Sequence, residues 1–270
     1  MSDRVDDALE RELLIAERRM RIAERVRAQG SASVGELGRS LGISASTVRR
    51  DLVWLEKREA IARTWGGAMA SKPDAIRRTD DITLSSRQRE NMREKALIAK
   101  AAADLVSDGD AVVIDAGSTT ELMAEHLLVR QRLTVITTSL PLAWALRGHA
   151  NIELIVTGGH VQTRASSLVG VLAEQTLSQL YADIAFIGAR GLTPANGLTN
   201  PVLEEVPMKR LMVRIARRSV ALVDSTKWGR VFMGLIVPVN GVSIVVTDNA
   251  APSGMRGEVE LQGTEVLIAE

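Results

Sequence analysis

The run Asp115-Ala116-Gly117-Ser118-Thr119-Thr120 sets a carboxylate, a glycine turn and three hydroxyls in succession behind an apolar, β-branched stretch. Where such a loop opens a helix, exposed N–H groups, hydroxyl donors and the positive end of the helix dipole make a cradle for a phosphate or carboxylate. It has neither the Gly-Lys-Ser/Thr ending of a P-loop nor a GxGxxG fingerprint, so taken alone it reads equally well as a helix cap. Other apolar runs end in Thr137-Thr138-Ser139, Gly158-Gly159, Gly188-Ala189-Arg190-Gly191 and Asp224-Ser225-Thr226-Lys227. Small residues there let a ligand approach the backbone, while Arg190 and Lys227 supply positive charge against a dianion. The plain alternatives are turn glycines and surface cations.

A second chemistry lies in the stretch Ser33 to Gly67. Ser33 and Glu36 have capping-box spacing, Leu37 and Leu41 make an apolar stripe, and Gly42 suits a left-handed stop. Ser44 then caps a second helix that carries Val48, Leu52 and Leu55 inward. On that helix Ser46, Arg50, Val53 and Lys57 share the opposite face, flanked by Thr47, Arg49 and Trp54. Two helices joined by such a turn present the second one to a DNA major groove. There the arginine fork can grip guanine O6 and N7 or neutralise a phosphate, and the adjacent Arg49 and Arg50 can divide those tasks. The residues Trp65-Gly66-Gly67, between short apolar runs, suit a hairpin wing whose Arg63 and Trp65 reach the DNA backbone or minor groove. The plain reading is a helical hairpin with a solvated basic face.

Other chemistry is thinly represented. The chain of 270 residues has no cysteine, which excludes disulfides, thiolate catalysis and cysteine metal sites. His126, His149 and His160 follow no metal-binding spacing, so surface or structural roles are expected, with no metal and no cofactor. No run of about 18 uncharged apolar residues occurs, and the charged N-terminus is unlike a signal peptide, so a cytoplasmic protein at the nucleoid, with no membrane partner, is expected. The net charge of +1 hides a local bias, since residues 17–63 hold 11 Lys or Arg against 6 Asp or Glu. A basic patch on a balanced chain is the footprint of a selective DNA binder.

The elements that must position these groups fall into two domains. A DNA-binding domain over residues 1–70 begins with a helix over 7–28, patterned on Leu9, Leu13, Ala16, Met20, Ala23 and Val26. A polar linker over 71–89 follows, and residues 90–270 form the larger domain. Apolar strands are expected at 111–115, 133–137, 152–157, 184–187, 220–224, 243–247 and 265–268, alternating with helices at 121–128, 140–146, 168–180 and 203–217. Apolar strands separated by helices predict an α/β domain whose mostly parallel sheet is covered on both faces. Ligands of such sheets bind beyond the carboxyl ends of the strands, where the loops above lie.

The run Leu41-Gly42-Ile43-Ser44, then Thr47-Val48-Arg49-Arg50-Asp51-Leu52, Leu55-Glu56 and Gly66-Gly67-Ala68, resembles the DeoR family of bacterial transcriptional regulators. The resemblance extends from about Arg19 to Asp248 through Glu94-Lys95, Asp115–Thr120, Ser167–Gly170, Asp183–Gly191, Gly197-Leu198-Thr199 and Asp224–Lys227. It implies a winged helix-turn-helix joined to an effector domain similar in fold to ribose-5-phosphate isomerase and the coenzyme A transferases. The family generally senses a phosphorylated sugar or related catabolic intermediate. Carried onto this sequence, that implies that Ser118, Thr119 and Thr120 hold the phosphate, that Lys227 assists, and that Glu205 lies near the sugar. With Asp115, Gly117, Gly158, Gly159 and Arg190 these form the expected effector site. The expected DNA site is Ser44, Ser46, Thr47, Arg49, Arg50, Lys57, Arg63 and Trp65.

The expected protein is therefore a regulator, by the family's habit a repressor of a sugar or polyol catabolic operon. It would bind double-stranded operator DNA and a small phosphorylated effector as a homo-oligomer. Two rivals stand beside it. One is an isomerase-like enzyme using Glu205, Lys227 and the Ser118 loop, against which the fused DNA reader argues. The other is a DNA-binding protein with no ligand, which predicts weak sequence preference.

Overall fold

Ser33 and Glu36 cap one another as their spacing requires: the Glu36 N–H donates to Ser33 Oγ at 3.2 Å, and the Ser33 N–H donates to Glu36 Oε2 at 2.8 Å. The computed structural model that contains this box describes residue 15 and residues 17–26, 31–57, 61–64, 66–69 and 84–270. The chain divides into two units, Met1–Ala75 and Ile76–Glu270.

In the first unit, helix α1 covers residues 17–26. Strand β1 (Ser31–Ser33) leads into α2 (Val34–Leu41), and α3 (Ala45–Lys57) follows. Strands β2 (Ala62–Thr64) and β3 (Gly67–Met69) complete an antiparallel sheet of order β1-β3-β2. Gly42 ends α2 in the left-handed conformation, with φ 65°, and the Ile43 N–H returns to the Gly38 carbonyl. Ser44 Oγ then accepts from the Thr47 N–H at 3.2 Å, so the second helix starts where its cap residue stands. Val48, Leu52 and Leu55 face inward with Leu37, Ile61 and Ala68.

Three features depart from the sequence reading. Helix α1 buries Ala23 and Val26 as expected, but Met20 is 57% exposed and Ile22 is buried in its stead. The part of that helix expected before residue 15 lies outside the described residues. Strand β1 has no apolar pattern to announce it, and it accounts for Gly67: a Cβ there would lie 2.3 Å from the Ala32 carbonyl oxygen. Trp54 is partly buried against the core, with the Arg19 guanidinium 4.2 Å above its ring, and so does not lie on the groove-facing side.

The second unit opens with helices α4 (Leu84–Arg89) and α5 (Met92–Ala103), then strand β4 (Ala111–Ile114). The short helix α6 (Ala124–Leu127), β5 (Leu133–Thr137), α7 (Leu140–Leu146) and β6 (Ile152–Val156) follow. A hairpin of β7 (His160–Gln162) and β8 (Ser167–Val169) precedes α8 (Val171–Ser178) and β9 (Ala182–Gly188). After β10 (Gly191–Thr193) and β11 (Gly197–Asn200) come α9 (Glu205–Ile215) and β12 (Ala216–Leu222). Strand β13 (Gly234–Val237), β14 (Ile244–Asp248), α10 (Ser253–Leu261) and β15 (Glu265–Ala269) end the chain.

The seven apolar runs read as strands form one sheet of order β15-β14-β12-β9-β4-β5-β6, with every neighbouring pair parallel. Successive residues point to opposite faces, and both faces are buried. Val113, Ala185, Ile187, Ala221 and Val245 pack with α8 and α9, while Val112, Ile114, Ile184, Phe186, Val220 and Leu222 pack with α5. That double burial removes polar alternation from the strands, which is why they were legible.

The helix read over 168–180 is shorter, because Ser167–Val169 pairs as β8, and the helix read over 203–217 yields at Ala216 to β12. The polar stretch read as linker ends in a helix, α4. A small antiparallel sheet of order β10-β11-β13 was not anticipated.

Candidate functional site

The order of the large sheet reverses at β4: the chain passes from β4 outward through β5 and β6, then returns to place β9 on β4's other side. At such a switch point the loops at the carboxyl ends of the two strands diverge and leave a crevice. A cleft lies there, lined by Ala116–Thr120 after β4, Gly188–Arg190 at the end of β9 and Leu222, Val223, Asp224 and Lys227 at the end of β12, with Arg87, Asn200, Glu205 and Lys209.

Of the residues singled out in the sequence, Gly117, Ser118, Thr119, Thr120, Arg190, Glu205 and Lys227 line this cleft together. Asp115 stands just behind it: its Oδ2 accepts from the Gly188 N–H at 3.1 Å and from the Lys209 ammonium, which also donates to the Gly188 carbonyl at 3.1 Å. This buried ion pair ties the beginning of the hydroxyl loop to the end of β9 and to α9. The Thr120 hydroxyl is engaged with the loop itself, meeting the carbonyls of Asp115 at 2.8 Å and Gly117 at 3.0 Å. Thr120 thus shapes the loop, and Ser118 and Thr119 present their side chains to the cleft.

Gly158 and Gly159 are not among the lining residues. Both have positive φ, and a Cβ on Gly159 would lie 2.7 Å from the Val169 carbonyl oxygen, so that glycine follows from the close approach of the chain to β8.

The cleft is built from buried charge. Burial pushes the Lys227 ammonium down to about 8; Asp224, 3.5 Å away, opposes this, and Arg190, Arg230 and Lys95 reinforce it. Burial likewise holds Arg190 down to about 10, with Arg230 adding to the effect and Asp224 and Glu205 opposing it. Lys95 is almost wholly enclosed, and burial lowers its pKa against the pull of Asp224 and Glu90. Burial also acts on Asp224, but the Lys227 charge and the Thr226 hydrogen bonds outweigh it and hold the carboxyl below its usual range. At the other end Glu205 is pushed up by burial, while Asn200 Nδ2 donates to its Oε2 at 2.9 Å and Ser167 Oγ lies 3.4 Å from its Oε1. Cations crowded together out of water favour an anion between them, and a carboxyl held toward its neutral form beside an amide suits hydroxyl groups.

Sequence reasoning missed Arg87, Lys95, Asn200 and Lys209 as members of this cluster. Lys209 had a signal, since it lies four residues after Glu205 on a helix whose other inward positions are apolar. Arg87 reaches the cleft, and the enclosed Lys95 acts on Asp224 and Lys227 from behind it, only because the topology brings α4 and α5 there, and nothing local to them announces it.

In the first unit the candidate DNA surface is α3. Arg49, Arg50, Ser44 and Ser46 are exposed, and Thr47 is half-buried. Ser44 Oγ lies 2.9 Å from both Ser46 Oγ and Thr47 Oγ1, so the three hydroxyls form one network at the helix start. Between the core face and this surface Asp51 is fully buried and held by two arginines: Arg18 Nε donates to Oδ2 at 2.6 Å and Arg19 Nε to Oδ1 at 2.9 Å. Burial raises the Asp51 pKa, but the two guanidinium groups outweigh it and hold the carboxyl below its ordinary range. Arg18 and Arg19 are thereby committed to orienting α3 against α1. In the wing, Arg63 pairs with Ala68 across the β2–β3 ladder. Its side chain, the Lys57 side chain and Trp65 lie outside the described residues.

Comparison with known proteins matches both units to families. Residues 18–74 match the DeoR-like helix-turn-helix domain, and residues 90–249 match the DeoR C terminal sensor domain. The HTH-type transcriptional regulator GolR of Listeria innocua is 34% identical over 254 residues, covering 94% of this chain and 98% of that protein. A putative aga operon transcriptional repressor of Escherichia coli O157:H7 is 29% identical, covering 94% and 93%. The HTH-type transcriptional repressor GlcR of Bacillus subtilis is 33% identical, covering 85% and 87%. Among solved structures, ribose 5-phosphate isomerase A of Methanocaldococcus jannaschii is 25% identical, covering 52% of this chain and 55% of that one, with a TM-score of 0.39.

Proposed function

We propose that this chain, which belongs to the DeoR family of transcriptional regulators, changes its affinity for operator DNA when a phosphorylated sugar or related metabolite occupies the cleft of its second unit. The chain is a DNA-binding regulator with a sensor domain, and its relatives are named as regulators and repressors, not as enzymes. The observation that carries the finer reading is the buried cation cluster of Arg190, Lys227 and Lys95 around a hydroxyl-lined loop. The charge of those groups is held against their burial, so a dianion that neutralises them gains more there than in water.

In this reading Ser118 and Thr119 donate to the phosphate, Arg190 and Lys227 neutralise it, and Glu205 with Asn200 meets the sugar hydroxyls. The DNA contacts are Ser44, Ser46, Thr47, Arg49, Arg50, Lys57, Arg63 and Trp65, with Arg49 and Arg50 at the base edges and adjacent phosphates. The target is the control region of a sugar or polyol catabolic operon, and the output is repression. One winged head covers little DNA, so a homo-oligomer reading repeated half-sites is part of the proposal.

The test is a thermal-shift screen of phosphorylated sugars and polyols, each beside its unphosphorylated parent. A ligand that binds only the folded chain raises its apparent stability by mass action. Stabilisation by phosphorylated members alone is expected; a shift with the parents equal to that with the esters would sink the anion reading.

A further inference from the structure

The corner between α4 and α5 is tied to the cleft and its loop at three points and braced internally by a fourth contact. Arg87 lines the cleft, and its buried Nε has no hydrogen-bond partner among the described residues. The Lys95 ammonium donates to the Arg87 carbonyl at 2.5 Å, fixing α4 to α5 beside the cation cluster. Asn91, at the corner itself with φ 50°, donates through Nδ2 to Asp224 Oδ1 at 3.2 Å. Gln88 donates through Nε2 to Glu121 Oε2 at 3.1 Å, while Glu121 Oε1 accepts from Ser139 Oγ at 3.1 Å. Glu121 is the residue next to Thr120, so the last contact joins α4 to the helical turn that follows the hydroxyl loop.

A helix of six residues has no stability of its own in water, so α4 is held by these contacts, by the buried Leu84 and by the bond from the Leu84 N–H to the Arg164 carbonyl at 2.8 Å. Elements held by only a few bonds are drawn from the low-stability end of a structure and open at little free-energy cost. It is also the first described element after residues 70–83, through which the chain passes from the DNA-binding unit to the second one. The groups facing Glu121 are Arg87 and Gln88 from α4, Ser139 from the start of α7 and Asp115 from the end of β4. Its burial holds the carboxyl up at about 6, and the donors from Gln88 and Ser139 favour its charged form at neutral pH.

We propose that the α4–α5 corner is the relay between ligand and DNA: an anion in the cleft draws in Arg87, the Gln88–Glu121 bond transmits the loop's position to α4, and α4 sets the chain that leads to the DNA-binding unit. The relay rests on the anion reading of the cleft. Its separable contact is Gln88–Glu121, because neither residue lines the cleft.

The experiment uses the full chain and inorganic phosphate as probe, with phosphate binding followed by calorimetric titration and hydrogen exchange followed over residues 71–89. In the parent protein, phosphate is expected to slow exchange in α4 by about 5-fold to 150-fold, the usual range of coupling between two sites. In Gln88→Ala, and independently in Glu121→Ala, phosphate still binds, weakened by no more than that same factor as reciprocity requires, but exchange in α4 no longer responds. Phosphate bound without any change in α4 in the parent, or an undiminished response in both variants, overturns the relay. Failure of the anion reading shows itself differently, as no heat of phosphate binding in the parent, and would remove the relay with it.

Discussion

If Lys227 neutralises the effector's phosphate, its depressed pKa makes binding depend on pH in a defined direction. In the ligand-free chain burial and the neighbouring cations hold its ammonium at about 8 instead of 10.5. A dianion placed against it supplies the missing counter-charge and returns the lysine toward its ordinary value, which is worth about 3 kcal/mol at roughly 1.4 kcal/mol per pH unit. Below about pH 8 the lysine is already charged and affinity is level, until the ligand's own second phosphate proton adds near pH 6. Above about pH 8 the free site must first recover a proton, so affinity falls about tenfold per pH unit and levels off as the bound-state value is reached.

Calorimetric titration at about pH 8, in two buffers of different ionisation enthalpy, should show the uptake of roughly half a proton per ligand bound. Lys227→Met should remove both that uptake and the slope, leaving DNA binding by the ligand-free protein unchanged. The same shift has the opposite consequence for the empty protein. Its unfolded chain keeps the lysine proton to 10.5 and its folded chain only to about 8, so stability rises as pH climbs between them. Affinity that stays level from about pH 7 to about pH 9.5 in the parent, with no proton taken up, would refute the assignment of Lys227 to the phosphate.

Two further outcomes concern the DNA-binding unit. Arg50→Ala should cost about 1 to 3 kcal/mol on the preferred DNA site and relax preference at one position if Arg50 meets a base edge, measured by fluorescence anisotropy on a panel of single-base variants; a loss that is equal on every sequence makes it a phosphate contact. Asp51→Asn should destabilise this unit by about 1.5 to 3 kcal/mol, the usual worth of hydrogen bonds to a charged group, read by chemical denaturation. The pH dependence of that contribution follows from the lowered Asp51 pKa: it is fully present above the unfolded value of 3.8 and is lost as pH falls through the folded value, so the Asn variant should lack that part of acid unfolding.

Legibility in the sequence followed the range of the interactions. The strands of the large sheet were readable because the central ones are buried on both faces and so are dominated by β-branched and other apolar residues, while the edge strands β6 and β15 keep enough of that pattern around Glu153 and Glu265 to be recognised. The capping box, the left-handed stop at Gly42 and the Ser44 cap were readable because each is settled within four residues. Strands β1, β10, β11 and β13 are only three or four residues long, so their own residues hold no period to detect. Helix α5 escaped for a related reason: its buried face is Ile98, Ala99, Ala102 and Ala103 together with the enclosed Lys95, and small residues with a lysine do not look like a core.

The same division runs through the sites and explains what kind of residue was missed. Loops after strand ends can be found from strands alone, which yielded Ser118, Thr119, Arg190 and Lys227. Their distant partners cannot be found that way: Lys209 meets Asp115 across 94 positions, and Asn91 meets Asp224 across 133. In the first unit the count of basic residues overstated what faces DNA, since Arg18 and Arg19 are bound to the buried Asp51 while Arg49 and Arg50 stand exposed on the other side of α3. The two arginine pairs are alike in sequence and opposite in surroundings, and the buried carboxylate is what tells them apart. Buried cations at the cleft and exposed ones on α3 are thus the same residue types under different solvation: in the proposed function the first would gain from a small anion that replaces water, the second from a polyanion that displaces counterions. A regulator that joins the two needs an element whose order depends on the first and whose chain leads to the second. In the proposed relay that element is the short helix α4, joined through Gln88 and Glu121 to the turn after the hydroxyl loop.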